Sequence, residues 1–393
     1  MKHSGIVRAI ATLTTVVVVA AACSSSAATQ AASQPASAAP TSAAAPSSSA
    51  AAPSAPAKMY TIGYSNGGGV GNGFREEQLC TARAEALSSG QVSKITVTSR
   101  NTDAAGQLQD IRDLIAKGVN AIVFNPNDPA ALNPALVEAQ AAGIKTVSVD
   151  AYVTDPNTYN LYNNQVKYAY LGATWLFKQL NGTGTVYYMR GIAGNPADDD
   201  RDIGFKQALA ENPGIKVVPA AGVATGWDPP TATKLANEFI ASGQYDTIQG
   251  IWTSGIDSEV VDAIKAAHKS FVPIVGTDRG SFIKQLLDPV GYPGLKGVAV
   301  TNTAAVGGAG VNLALKLLNG TTVTPTAGAK PNTVLLDPIA VDNQTDAGKA
   351  QLKGWLAVTL PDPTWPLGIT IDGWTTYTPA QAVPPAGCKG PGE

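Results

Sequence analysis

Four polar residues, Asp150, Arg201, Asp278 and Asn302, stand at the ends of apolar runs or at the head of a helical one, and Phe74, Trp227 and Trp252 are aromatic residues at comparable junctions. These residue types suit a neutral polyol. Carboxylates and Asn accept from adjacent hydroxyls, Arg donates a planar fork, and an aromatic ring covers a C–H face. Each residue also has a plainer use. On the residues alone, Phe74 reads as a helix-start staple and Trp227 as a packing residue in a loop. Asp150 and Asp278 read as caps of the turns that follow their strands. Arg201 reads as a partner for the run Asp198-Asp199-Asp200, which itself reads as a solvated helix N-terminus rather than a metal site.

Catalytic constellations are scarce. The two histidines are His3 and His268, too few for a His-based metal site or a triad without partners. The loop Gly67-Gly68-Gly69-Val70-Gly71 invites comparison with a dinucleotide fingerprint, but Asn72 stands where the third glycine would fall. Asp150 and Asp278 are the residue types of a glycosidase pair, yet sequence spacing says nothing of their separation. The expectation is no enzyme, no cofactor and no metal.

The elements that must position these residues alternate. Strands are expected at Tyr60–Tyr64, Ile95–Val97, Ala121–Phe124 and Thr146–Val149, separated by helices at Phe74–Leu87, from Asp103 to about Gly118, and at Leu132–Ala142. Asp103 is an N-cap type, and Leu108, Ile111, Leu114 and Ile115 share one helical face. A second series follows, with strands at Thr185–Met189, Ile215–Val218, Ile248–Trp252, Pro273–Gly276 and Gly297–Val300 among helices that end with Val306–Leu318. β-Branched runs alternating with amphipathic helices mean parallel strands and right-handed crossovers. There are too many such units for one open sheet. The fold class is therefore α/β, two doubly wound parallel-sheet lobes, with ligand bound beyond the carboxyl ends of the strands in the cleft between them.

Lys2 and Arg8, the apolar run Ala9–Ala22 and then Cys23 read as a secretory signal peptide over residues 1–22, too short and small-residued for a membrane span. Cys23 sits where lipoproteins carry their lipidated thiol, although Ala20 replaces the usual Leu; an ordinary secreted protein is the alternative. Residues 24–56 are almost all Ser, Ala, Pro, Thr and Gln, the composition of a tether with nothing to bury. The 27 Lys and Arg against 29 Asp and Glu give no electrostatic footprint for nucleic acid or anionic lipid.

From Met59 to about Leu318 the chain resembles the ribose-binding-like group of periplasmic sugar-binding proteins, the type I solute-binding proteins of ABC importers. The resemblance rests on an ordered set of short motifs: Ile62-Gly63-Tyr64 before Asn72-Gly73-Phe74-Arg75, Asn125-Pro126-Asn127-Asp128, Val147-Ser148-Val149-Asp150, Arg201-Asp202-Ile203-Gly204-Phe205, Val275-Gly276-Thr277-Asp278 and Val300-Thr301-Asn302. It implies a clamp hinged on three crossover segments, with a first lobe of 59–162 plus 303–330 and a second of 163–302 plus 331–393. It also implies ligand-binding roles for Asn72, Phe74, Arg75, Asp150, Arg201, Trp227, Trp252, Ser254, Asp278 and Asn302. Two departures matter. Trp252-Thr253-Ser254-Gly255 replaces an Asn-Asp pattern, and Ala151 replaces an Arg, so no single sugar carries over.

Cys80 and Cys388 remain once Cys23 is set aside. In an exported protein two such thiols can pair. A bridge pinning the tail across the first lobe is expected over two free thiols. The function expected is an extracytoplasmic lipoprotein, anchored to the outer face of the cell membrane through Cys23, that delivers a small sugar or polyol to ABC permease subunits with a separate ATPase. A monomer is expected. The alternative is a binding protein that reports a sugar or signal to a membrane receptor kinase.

Overall fold

The computed structural model describes residues 58–68, 73–358, 360, 362–368, 370–383 and 388–393. The expected signal peptide and tether, with Cys23 and Asn72, lie outside the described residues.

Short β-branched segments form two parallel sheets. The first takes strands β1 (Tyr60–Asn66), β2 (Val92–Ser99), β3 (Ala121–Asn125), β4 (Lys145–Val149), β5 (Tyr159–Asn163) and β11 (Thr333–Leu336), in the order β11-β5-β4-β3-β1-β2. The second takes β6 (Thr183–Arg190), β7 (Gly214–Ala224), β8 (Gly250–Trp252), β9 (Ile274–Thr277), β10 (Gly297–Val300) and β12 (Ala340–Asp342), in the order β12-β10-β9-β8-β6-β7. Among the described strands only β12 runs antiparallel to its neighbour. Each sheet reverses its winding beside its first strand, β1 or β6, so each lobe has a topological switch point at strand carboxyl ends.

The first lobe carries helices α1 (Gly73–Ser88), α2 (Ala104–Ala116), α3 (Asn133–Ala141) and, later, α9 (Val306–Leu318). The second carries α4 (Gln165–Gln179), α5 (Pro196–Ala210), α6 (Pro229–Ala241), α7 (Asp257–Ala266) and α8 (Gly280–Leu286). Asp103 caps α2 by accepting from Gly106 N at 2.8 Å, and Gly118 leaves that helix at φ 67°. Ile62, Val123, Val147, Val149 and Leu313 are buried in the first-lobe core; Ile251, Val261, Phe282 and Ala299 are buried in the second. Among the described residues no helix is long and apolar enough to cross a membrane.

The chain passes between the lobes from β5 to α4, from β10 to α9 and from β11 to β12. The first lobe thus reaches further than the expected 330. β11 pairs parallel with β5, from Thr333 opposite Asn160 to Leu336 opposite Asn163. Nor does the tail belong to one lobe. Helix α10 (Asp346–Trp355) packs on the second lobe through Leu352 and Trp355. Ile371 and Trp374 pack on the first, short helix α11 (Pro379–Ala382) lies beside α1, and Cys388 is bonded to Cys80 of α1 with Cα atoms 5.1 Å apart.

Helix α5 begins five residues before Arg201, with Asn195 capping it through Ala197 N. Asp198 and Asp199 therefore lie inside the first turn, and Asp198 is not solvated as expected but buried. It accepts from Gly191 N at 2.6 Å and Arg190 Nε at 3.0 Å. Arg190, not Arg201, pairs with two carboxylates of this run, Asp198 and Asp199, and also reaches Asp202.

Candidate ligand site

Freed from the acidic run, Arg201 points toward the hinge. It is buried, its Nε donates to Gln165 Oε1 at 2.8 Å, and its Nη1 donates to Ser254 O at 2.8 Å and Ser254 Oγ at 3.0 Å. The guanidinium lies over the Tyr168 ring at 4.3 Å and near the Trp227 ring at 5.4 Å, within reach of the ring quadrupoles. Trp227 sits in the left-handed region, φ 53°, and its Nε1 donates to Ser254 Oγ at 3.1 Å. Its indole rests on Gly191, where a Cβ would stand 2.1 Å from Cε2. Only a glycine leaves that seat open.

The network runs on into the hinge. Gln165 Nε2 and Asn163 Nδ2 donate to Asn302 Oδ1 at 2.9 and 3.2 Å, and Asn302 N donates to Asp278 Oδ1 at 3.0 Å. Trp227, Ser254, Arg201, Gln165, Asn302 and Asp278 thus form one connected chain of contacts. Burial pushes the Asp278 carboxyl up to about 6 against the pull of the Asn302 and Gly368 amides, with Asp257 adding to the rise.

On the first lobe, Asp150 follows β4 with φ 67° and accepts from Asn125 Nδ2 at 3.1 Å. Asn125, at the end of β3, also donates to Gln78 Oε1 at 3.0 Å. Arg75 Nη1 donates to Asn66 Oδ1 at 3.2 Å. Burial raises the Asp150 carboxyl above its ordinary range, opposed by Arg75, by the Asn125 hydrogen bond and by Arg201. Arg201 comes from the second lobe, so its field reaches Asp150 across the cleft. Phe74 is half-buried against the first-lobe core.

Trp252 requires a correction. It is fully buried and packed against Tyr188 and Phe205 at centroid distances of 5.4 and 5.5 Å, with Tyr168 edge-on at 6.5 Å. Enclosed by these core rings and with none of its surface exposed, it packs in the second-lobe core. It supports Tyr168, which in turn supports Arg201.

Sequence reasoning missed Gln165, Gln78, Gly191 and Glu77, and placed Asn125 in a motif without a role. Glu77, on α1, is fully buried and, with Tyr64 OH, Gln78 Nε2 and Asn125 Oδ1, it has polar atoms without a hydrogen-bond partner among the described residues. Its burial holds the carboxyl well above the usual range, and Asp278 adds to the rise. No cluster of His, Cys, Asp and Glu suited to a metal ion occurs among the described residues.

Comparison with known proteins accords with this geometry. The chain is 28% identical over 225 residues to a xylitol-binding protein of Mycolicibacterium smegmatis, covering 56% of this chain and 63% of that one. It is 28% identical over 153 residues to a ribose import binding protein of Bacillus subtilis, covering 39% and 49%. The chain therefore spans between about half and just under two thirds of these relatives. Among solved structures, an ABC transporter solute-binding protein from Thermobispora bispora matches with a TM-score of 0.64 at 25% identity, over 78% of this chain and 90% of that one. A periplasmic solute-binding protein from Actinobacillus succinogenes with bound D-allose shares the fold, with a TM-score of 0.63 at 21% identity over 75% and 100%. The family model described as a periplasmic binding protein domain matches residues 62–322, and the chain belongs to that family.

Proposed function

We propose that the protein is a non-enzymatic, extracytoplasmic solute-binding protein that captures a small neutral sugar or polyol between its lobes and hands it to ABC permease subunits. The observation that carries this reading is the hydrogen-bonded chain from Trp227 through Ser254, Arg201 and Gln165 to Asn302, with Arg201 near enough for its charge to act on Asp150 of the first lobe. It offers a planar donor, carboxylate and amide acceptors and an indole face in one place. Such buried groups reject analogues that lack the matching hydroxyl. The uncommitted atoms of Tyr64, Gln78 and Asn125 add donors and acceptors on the first-lobe side. The xylitol- and ribose-binding relatives support the same ligand class. Ligand contacts are proposed for Asn72, Phe74, Arg75, Asp150, Arg201, Trp227, Ser254, Asp278 and Asn302. Lys2, Arg8 and the apolar run before Cys23 support a lipid on that residue, which a Cys23→Ser variant tests by release from the membrane fraction.

A thermal-shift screen tests the ligand class, because a ligand held only by the folded state raises the melting temperature. A rise confined to a few stereochemically related sugars or polyols is expected. A rise with amino acids or nucleosides alone would overturn the substrate class.

A further inference from the structure

The matched family domain ends at residue 322, and the chain continues to 393. That continuation touches both lobes. On the second lobe, residues 362–368 lie along the turn that opens α8: Ser281 N donates to Pro363 O at 2.7 Å, Gly280 N to Trp365 O at 3.1 Å and Leu367 N to Asp278 O at 2.8 Å. Gly368 N donates to Asp278 Oδ2 at 3.1 Å. Gly368 O accepts from Thr303, in the crossover between β10 and α9. On the first lobe, the Trp365 ring lies against Gly73 at the head of α1, where a Cβ would stand 2.4 Å from Cδ1.

Beyond this stretch the tail is fastened to the first lobe. Thr376 N donates to Glu85 Oε2 at 2.7 Å, Pro391 O accepts from Ile95 N at 2.9 Å, Arg83 pairs with Glu393, and Cys388 is bonded to Cys80. Gly368, held by the second lobe, is three residues from Ile371, packed on the first. Three residues span at most about 10 Å. A hinge opening that moves these two anchors more than about 10 Å apart has to free one of them from its lobe.

We propose that residues 362–368 are a latch across the cleft, with Asp278 as the positioning residue that holds it on the second lobe and the Cys80–Cys388 bond as the fastening that keeps it taut from the first. This rests on the reading of the cleft as the ligand site, but its mechanics are independent of which solute enters. The latch biases the lobes toward the closed arrangement in which Arg201 faces Asp150, and so lowers the ordering cost of binding.

The test is hydrogen–deuterium exchange of the full chain without any solute, comparing the unaltered protein with a Cys80→Ser/Cys388→Ser variant. The expected result is exchange about tenfold faster or more in peptides covering 278–283, 362–368 and the cleft-lining stretches 147–152 and 198–205, with α2 and α6 unchanged. Unchanged exchange in all four stretches overturns the latch. If the double variant exchanges faster everywhere, Gly368→Ala decides with the disulfide intact, because its Cβ would stand 2.7 Å from Asp278 Oδ2. Faster exchange confined to the same four stretches then supports the proposal, and exchange equal to the unaltered protein refutes it. Because no solute is present, a failure here leaves the sugar reading standing, and a failed sugar screen leaves the latch standing.

Discussion

Gly191 touches the ligand only through Trp227 in this account, so Gly191→Ala tests whether the indole's observed seat matters for binding. The new Cβ would lie 2.1 Å from Cε2 and 2.4 Å from Nε1. Ordinary contact begins near 3.4 Å, so the ring has to retreat by more than about 1 Å, and the 3.1 Å hydrogen bond from Nε1 to Ser254 Oγ is carried out of reach. Overpacking of this kind costs ~1–3 kcal/mol, and the lost hydrogen bond is on the order of 1 kcal/mol. Affinity for the best solute from the screen should fall roughly 5- to 150-fold, the equivalent of ~1–3 kcal/mol. Isothermal titration on Gly191→Ala, Trp227→Ala and the double variant completes a cycle. The double variant should bind no worse than Trp227→Ala. Full affinity in Gly191→Ala, or a further loss in the double variant, would refute the coupling.

Asp150→Ala and Arg201→Ala should each weaken binding by ~1–3 kcal/mol, measured by titration at constant fold; unchanged affinity in both would move the site elsewhere. Trp252→Ala should cost about 3–5 kcal/mol in a urea melt, as for a core aromatic; wild-type stability with lost affinity would return Trp252 to the ligand's side. Glu77 is held well above its ordinary value by burial and by Asp278, with Tyr377 also facing it. A raised folded-state value means that the stability present at low pH is lost as pH rises through the folded value. The melting-temperature advantage of Glu77→Gln over the unaltered protein should therefore grow from pH 5 to pH 8, and a constant difference would contradict the buried neutral acid.

Periodicity exposed most of the fold because central parallel strands are continuous apolar runs, as in Ala121-Ile122-Val123-Phe124 and Gly297–Val300. It missed β5, Tyr-Asn-Leu-Tyr-Asn, whose two asparagines, Asn160 and Asn163, serve hydrogen bonds to Val153 N, Asn302 and Thr303. It missed β11 and β12 because a strand of three or four residues at a sheet edge carries little pattern, and with them went the correct end of the first lobe. Site residues that follow strands, such as Asp150 and Asp278, were legible by position. Glu77 and Gln78 were not, since Glu-Glu-Gln early in a helix reads as a solvated face and only packing at the hinge buries it. Gln165, the first residue of α4, carries no pattern of its own, although its side chain bridges Arg201 and Asn302. Trp252 misled in the opposite direction. Its neighbour Ser254, beyond the strand end, reaches Arg201 and Trp227, while the indole itself turns into the sheet. The tail's path over both lobes had no local signal beyond Cys388 and the tryptophans Trp355, Trp365 and Trp374.

The central claim is that one solute is held by both lobes at once, and a crystal structure of the protein with the solute from the screen tests it most directly. The solute should lie between Asp150 and Arg201, with the Trp227 indole against its C–H face and hydroxyls within about 3 Å of both charged groups. A solute bound to one lobe alone, or outside the Trp227–Arg201–Asp150 triangle, would contradict it.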